Sequence, residues 1–140
     1  MKQLSIFVEN KSGRLAEITA VLEANSIDIR ALSVADNTDF GILRLIVDRP
    51  DEAAAALKKS GMTVSLNDVM AVSIPDSPGG FAAVAKLMAD AGIGIEYMYA
   101  FISREKGRAC VVLRVENNQA TLAVLQKGGI ELIPETDLLK

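Results

Sequence analysis

Asp76-Ser77-Pro78-Gly79-Gly80-Phe81-Ala82 repeats the plan of Asn10-Lys11-Ser12-Gly13-Arg14-Leu15-Ala16, displaced by 66 residues. At that offset Ile27 and Ile29 fall on Ile93 and Ile95, Leu32 on Met98, and Gly41 on Gly107. Later the offset is 68, so that Gly61 falls on Gly129. A polar, glycine-containing turn at one fixed place in a repeated plan predicts two copies of one small domain, and with them two copies of one small-molecule site.

Each copy is about 70 residues, and a domain that small buries only about 60% of its unfolded surface. The copies are therefore expected to pack on each other and on a second chain. Half of the residues are apolar and only 4% aromatic, which predicts an aliphatic core. A net charge of −3 with interspersed signs argues against nucleic acid as a partner. Histidine is absent, which removes the commonest general base and most zinc sites, and the sole cysteine, Cys110, lies in an apolar run and reads as core. Nucleophilic, metal and cofactor chemistry therefore have no signature, and an enzyme is the least supported class. The first residues enter an alternating strand at once, and no apolar run approaches the length of a membrane span. The expectation is a soluble cytoplasmic protein.

Leu4, Ile6 and Val8 alternate with Gln3, Ser5 and Phe7 as in a strand, and Leu15, Ile18, Val21 and Leu22 follow helical spacing, with Ser12 placed to cap the first turn. Residues 27–34 and 42–47 read as strands and Pro50-Asp51 opens a second helix. Gly61 stops that helix, and residues 62–66 form a fourth strand. The second copy repeats the order: strand 69–74, turn 75–80, helix to Gly92, strand 93–102, strand 109–115, helix 119–127 and a last strand 130–133. Each copy is thus β-α-β-β-α-β, an α+β class of two ferredoxin-like repeats with antiparallel sheets and helices on one face, divided as 1–67 and 68–140. Asn67-Asp68 reads as a two-residue hairpin turn. A hairpin there would lay residues 62–66 against 69–74 and return 130–134 to residues 3–8, exchanging the fourth strands between copies.

Glycine at a strand–helix junction admits positive φ and lets backbone approach a ligand. The unpaired N–H groups of a first helical turn attract a carboxylate, and a nearby Asp or Asn takes an ammonium. An amino acid carries both groups.

A strand followed by D/N-x-x/P-G-x-hydrophobic at the start of a helix, inside βαββαβ, resembles the ACT domain. Asp76 to Phe81 matches its signature well; Asn10 to Leu15 has Ser12 where the family usually has proline. The resemblance spans the chain as two tandem copies. It implies a non-catalytic regulatory protein that binds an amino acid between paired domains, through the loop and the start of the second strand. It implies a homodimer and signalling to a metabolic enzyme or transporter. Carried onto this sequence, the ligand positions are Asn10, Ser12, Gly13, Arg14, Leu15, Asp28 and Ile29 in the first copy. In the second they are Asp76, Pro78, Gly79, Gly80, Phe81, Gly94 and Ile95. Asp28 offers a carboxylate where Gly94 offers backbone alone, so unequal sites are expected. Leu15, Ile29, Phe81 and Ile95 lean toward an apolar or aromatic ligand.

A plainer reading stands beside each of these. Gly13 and Gly79 would serve any strand–helix turn, and Asp28 and Arg14 would serve as solvated surface charges. Arg44 points to solvent or pairs with an acid, and Tyr97 and Tyr99 pack on a sheet face or line a pocket. An assembly module that recruits a protein partner without binding a ligand is the alternative function.

Overall fold

In a computed structural model that describes residues 1–9, 11–36, 39–101 and 103–138, with the side chain of Asp36 excepted, the chain divides into two compact units, Lys2–Asn67 and Asp68–Leu138. The first contains β1 (Lys2–Glu9), α1 (Arg14–Ala24), β2 (Ile29–Asp36), β3 (Phe40–Val47), α2 (Pro50–Lys59) and β4 (Thr63–Asp68). The second contains β5 (Met70–Pro75), α3 (Gly80–Asp90), β6 (Ile95–Phe101), β7 (Arg108–Val115), α4 (Asn118–Lys127), β8 (Glu131–Leu132) and a short α5 (Glu135–Leu138). The sheet orders are β2-β3-β1-β4 and β6-β7-β5-β8. Both units are the βαββαβ arrangement that the sequence predicts.

The alternation in the central strands decides which face is covered. Leu4, Ile6, Leu43 and Leu45 join Ile18, Leu22 and Leu57 of the two helices in one buried cluster. Val72, Val111, Leu113 and Val115 do the same with Val84, Met88 and Leu125 in the other unit. All four long helices end alike. Ser26, Gly61, Gly92 and Gly129 take positive φ, and the following apolar residue (Ile27, Met62, Ile93, Ile130) donates its N–H to the carbonyl of Leu22, Leu57, Met88 or Leu125. This closure satisfies carbonyls left open at a helix end and packs an apolar residue beneath it. It also explains why β2 and β6 begin after Ile27 and Ile93, where the alternation alone places the strand starts.

The exchanged fourth strands are overturned. β4 lies beside β1, and β8 pairs with β5 through Val72 with Leu132 and Ser73 with Glu131. Asn67 and Asp68 are strand residues, not a turn, and Val69 alone separates β4 from β5. The Ser5 hydroxyl donates to the Asn67 side-chain carbonyl at 2.6 Å, and Val64 is buried in the first unit's cluster. These ties hold the fourth strand on its own sheet. Two further expectations change. Ser12 does not cap α1: the residue ahead of the helix is Gly13, and no side chain accepts a hydrogen bond there. The last strand is only two residues long, because Ile133 adds one bond to the Ala71 carbonyl and Pro134 has no N–H to continue.

The register also places the repeat's two-residue shift. Ile6 faces Leu43 and Val72 faces Val111, so the offset is 66 in the first strands and already 68 in the third. Gly41 therefore corresponds to Ala109, not to Gly107, and the additional residues lie in the turn ahead of β7.

Candidate functional site

The second glycine loop is built from the backbone outward. The Asp76 N–H donates to the Gly107 carbonyl at 2.9 Å, which ties the loop to the turn ahead of β7. Gly79 sits ahead of α3 at φ +86, and the Gly80 N–H donates to the Ser77 carbonyl at 3.0 Å. Gly80 itself has no room for a side chain: a Cβ there would lie 2.2 Å from the Pro75 carbonyl oxygen. No side chain caps α3 and its first turn holds no acid. By contrast, the Asn117 side chain accepts the Ala120 N–H at the start of α4. The Phe81 and Ala82 N–H groups of the first turn of α3, with the helix dipole behind them, remain an attractive place for an anion.

Pro78, Gly79 and Gly80 border a cavity of about 390 Å³ that Ser73, Arg108 and Glu131 also line. Arg108 is fixed by Ser73: its Nε donates to the hydroxyl at 3.0 Å and its Nη2 to the carbonyl at 2.9 Å. Nη2 also reaches a Glu131 carboxylate oxygen at 3.3 Å. Ser73 is 6% exposed, whereas the Glu131 side chain is largely in solvent. None of these three stood out in the sequence. The one signal that points to them is Ser73, a polar residue in an otherwise apolar strand.

The first loop is different. Gly13 takes φ +88 ahead of α1, and the loop borders a smaller cavity of about 140 Å³ lined by Val8, Glu9, Lys11, Arg14, Leu15 and Val34 with β3. Here a carboxylate of the chain already occupies the basic groups. Glu9 accepts from Lys11 at 2.9 Å and lies 3.8 Å from Arg14, which also pairs with Glu17 at 2.9 Å. The Lys11 hydrogen bond, then the charges of Lys11 and Arg14, hold the Glu9 carboxyl below its ordinary range. Arg14 is thus a surface charge with two acids beside it. Asn10 lies outside the described residues, and Ser12 is exposed.

The positions at the second strands are not brought to these loops within either unit. Eleven-residue helices separate the two ends, about 16 Å at 1.5 Å per residue. Asp28 lies at the far end, its carboxylate 3.2 Å from Arg30 and its N–H donating to Asp48 at 3.0 Å. Ile29 and Ile95 pack against the two cores, as does Phe81, whereas Leu15 is 51% exposed beside its loop. Gly94 and Ile95 border a separate cavity of about 310 Å³ with Glu96 and Glu116. Asp76 is exposed.

The two units also diverge on the sheet face away from the helices. Phe7 faces Ile42 and Ser73 faces Cys110, so Ser73 stands where the first unit has Phe7 and Arg108 where it has Phe40. The two phenylalanine rings stack with centroids 5.0 Å apart. One copy carries an aromatic pair where the other carries a clamped arginine. Tyr97 and Tyr99 share this face of the second unit, paired in register with Arg114 and Val112, and Cys110 is buried on it. Arg44 lies half-buried between Ser5 and Ser33 on the corresponding face of the first.

Residues 1–140 match the family described as an ACT domain pair. The chain belongs to that family. It is similar over 99% of its length to a protein from Bacteroides thetaiotaomicron of known crystal structure, at 45% identity and a TM-score of 0.92, covering 95% of that chain. The regulatory subunit of aspartate kinase from Thermus thermophilus, in a ligand-free form, shares the fold at 20% identity and a TM-score of 0.68, with 91% of each chain covered. The regulatory subunit from Thermus flavus does so at 19% identity and 0.64, covering 91% of this chain and 92% of that one. No curated protein sequence matches. Among the described residues no helix of this ACT pair is long and apolar enough to cross a membrane, and no cluster of three or more His, Cys, Asp or Glu side chains is placed to hold a metal ion.

Proposed function

We propose that this ACT domain pair is a non-catalytic regulatory protein of the cytoplasm, with residues 1–67 and 68–140 as its domains, that binds an amino acid and signals its presence to a metabolic enzyme or transporter. The observation that carries this reading is the second loop: Pro78-Gly79-Gly80 opens an uncapped, acid-free helix start onto a cavity of about 390 Å³. Of the two loops it is the one whose helix carries no acid in its first turn, whereas Glu9 and the first-turn Glu17 surround Arg14 in the other. The likeness in fold to aspartate kinase regulatory subunits supports a regulatory role. A homodimer fits the reading, because a second copy supplies the strand-start contacts that one unit holds too far from its own loop. Ligand binding at such a junction would shift the packing of domains, and that shift is the signal.

Assembly without a ligand is the second reading, and the exposed apolar residues of the edge strand β2, Leu32 at 58% and Val34 at 55%, favour it as a protein-contact surface. Isothermal titration calorimetry against the twenty amino acids separates the two. Saturable heat with one or a few of them is the expected result. Silence across the set, together with a protein partner recovered in a pull-down, would replace the ligand-binding reading with assembly.

A further inference from the structure

We infer that Arg108 and Glu131, held together on Ser73 at the mouth of the Pro78–Gly80 loop, form the two poles of a zwitterion site in the second unit, Arg108 taking a ligand carboxylate and Glu131 its ammonium group. The inference rests on the amino-acid-binding reading above and assigns residues to it.

Arginine has five N–H donors in a planar fork, suited to two-point recognition of a carboxylate. Ser73 uses Nε and one donor of Nη2, which fixes the plane of the guanidinium, and Glu131 takes Nη2 at a long 3.3 Å. Among the described residues Nη1 has no acceptor. The side chain is therefore oriented at one edge and open at the other, and it lines the same cavity as Pro78, Gly79 and Gly80. Ser73 is 6% exposed, so the clamp is part of the fold and not a surface accident. The Glu131 side chain, 62% exposed, has one oxygen on Arg108 and retains acceptor capacity for an ammonium. The tie between the Asp76 N–H and the Gly107 carbonyl holds the loop and the start of β7 at one end of the sheet.

The first unit lacks all three groups. Phe7 and Phe40 occupy the places of Ser73 and Arg108, and Thr63 corresponds to Glu131 at the later offset. One site of this kind per chain follows.

The test uses the full chain, the amino acid that binds most tightly in the calorimetric panel, and the same molecule without its amino group. Arg108→Gln should weaken the amino acid by about tenfold or more, the usual scale for a charge-assisted pair. Glu131→Gln should weaken the amino acid by about tenfold and leave the des-amino acid unchanged or tighter, because a competing carboxylate is gone. Circular dichroism checks that each variant is folded. If Arg108→Gln loses the fold, the contrast between the two ligands in Glu131→Gln, a change at an exposed side chain, decides alone. Wild-type binding of an amino acid with unchanged affinity in folded Arg108→Gln, or an equal response of both ligands to Glu131→Gln, overturns the assignment and leaves the amino-acid reading standing. No binding of any amino acid to the wild type removes both.

Discussion

Gly80→Ala should lower the melting temperature of the second unit by about 10–20 °C, corresponding to the roughly 2–3 kcal/mol that overpacking against an immovable neighbour costs. The added Cβ would stand 2.2 Å from the Pro75 carbonyl oxygen and 3.3 Å from its carbon. Those are backbone atoms, and Pro75 is in ladder register with Arg108, so the carbonyl cannot retreat without disturbing the start of β7. Gly79→Ala tests a different cost. Its Cβ would meet nothing within 4 Å, but φ +86 is unfavourable to any residue with a Cβ, at about 1–2 kcal/mol. Differential scanning calorimetry should therefore rank Gly80→Ala well below Gly79→Ala. Equal losses at the two positions would show that conformation alone, and not the closeness of strand end and helix start, requires glycine there.

Leu113→Ala should remove about 2.5–5 kcal/mol, the range for emptying a closed aliphatic core. Leu113 is 0% exposed on the central strand β7, in one cluster with Val72, Val84, Met88 and Leu125. A unit of about 70 residues holds only some 4–10 kcal/mol in total, so the variant should melt near ambient temperature or lack a transition for that unit. Met98, its partner in register on β6, is 43% exposed, because the helices do not cover the edge strand. Met98→Ala should cost under about 1 kcal/mol. Chemical denaturation of both variants measures the contrast, and a large loss at Met98 would mean that the edge is covered in solution, as a second copy on β6 would do.

The parts of the fold that the residues announce are those fixed by local chemistry. Pro50 opens α2, Gly61 and Gly129 close helices, and the alternation of Leu4, Ile6 and Val8 shows which side of β1 is covered. Each needs only its neighbours in sequence. The fourth-strand exchange does not form because Asn67-Asp68, although it has the residue types of a turn, takes a conformation decided at long range, by the Ser5–Asn67 hydrogen bond and the burial of Val64. Ser12 has the chemistry of a cap, but the left-handed Gly13 takes the position ahead of the helix. Gly13 and Gly79 were legible as strand–helix turn residues, and so was a difference in residue type between the copies, at Ser12 against Pro78 and Asp28 against Gly94. The larger difference was not. Matching Arg108 with Phe40 and Ser73 with Phe7 needs the sheet register, since the offset changes between the first and third strands. Two residues 35 apart become one hydrogen-bonded group only when β5 and β7 are paired.

An amino acid bound as proposed would meet this ACT pair at its second glycine loop. Amide chemical shifts of the full chain, followed by nuclear magnetic resonance while each of the twenty amino acids is added, test it most directly. Saturable shifts are expected at Gly79, Gly80 and Phe81 and at Arg108 with at least one of them, larger than any at Gly13 to Leu15. Shifts confined to the first loop, or none at any residue with any amino acid, would contradict it.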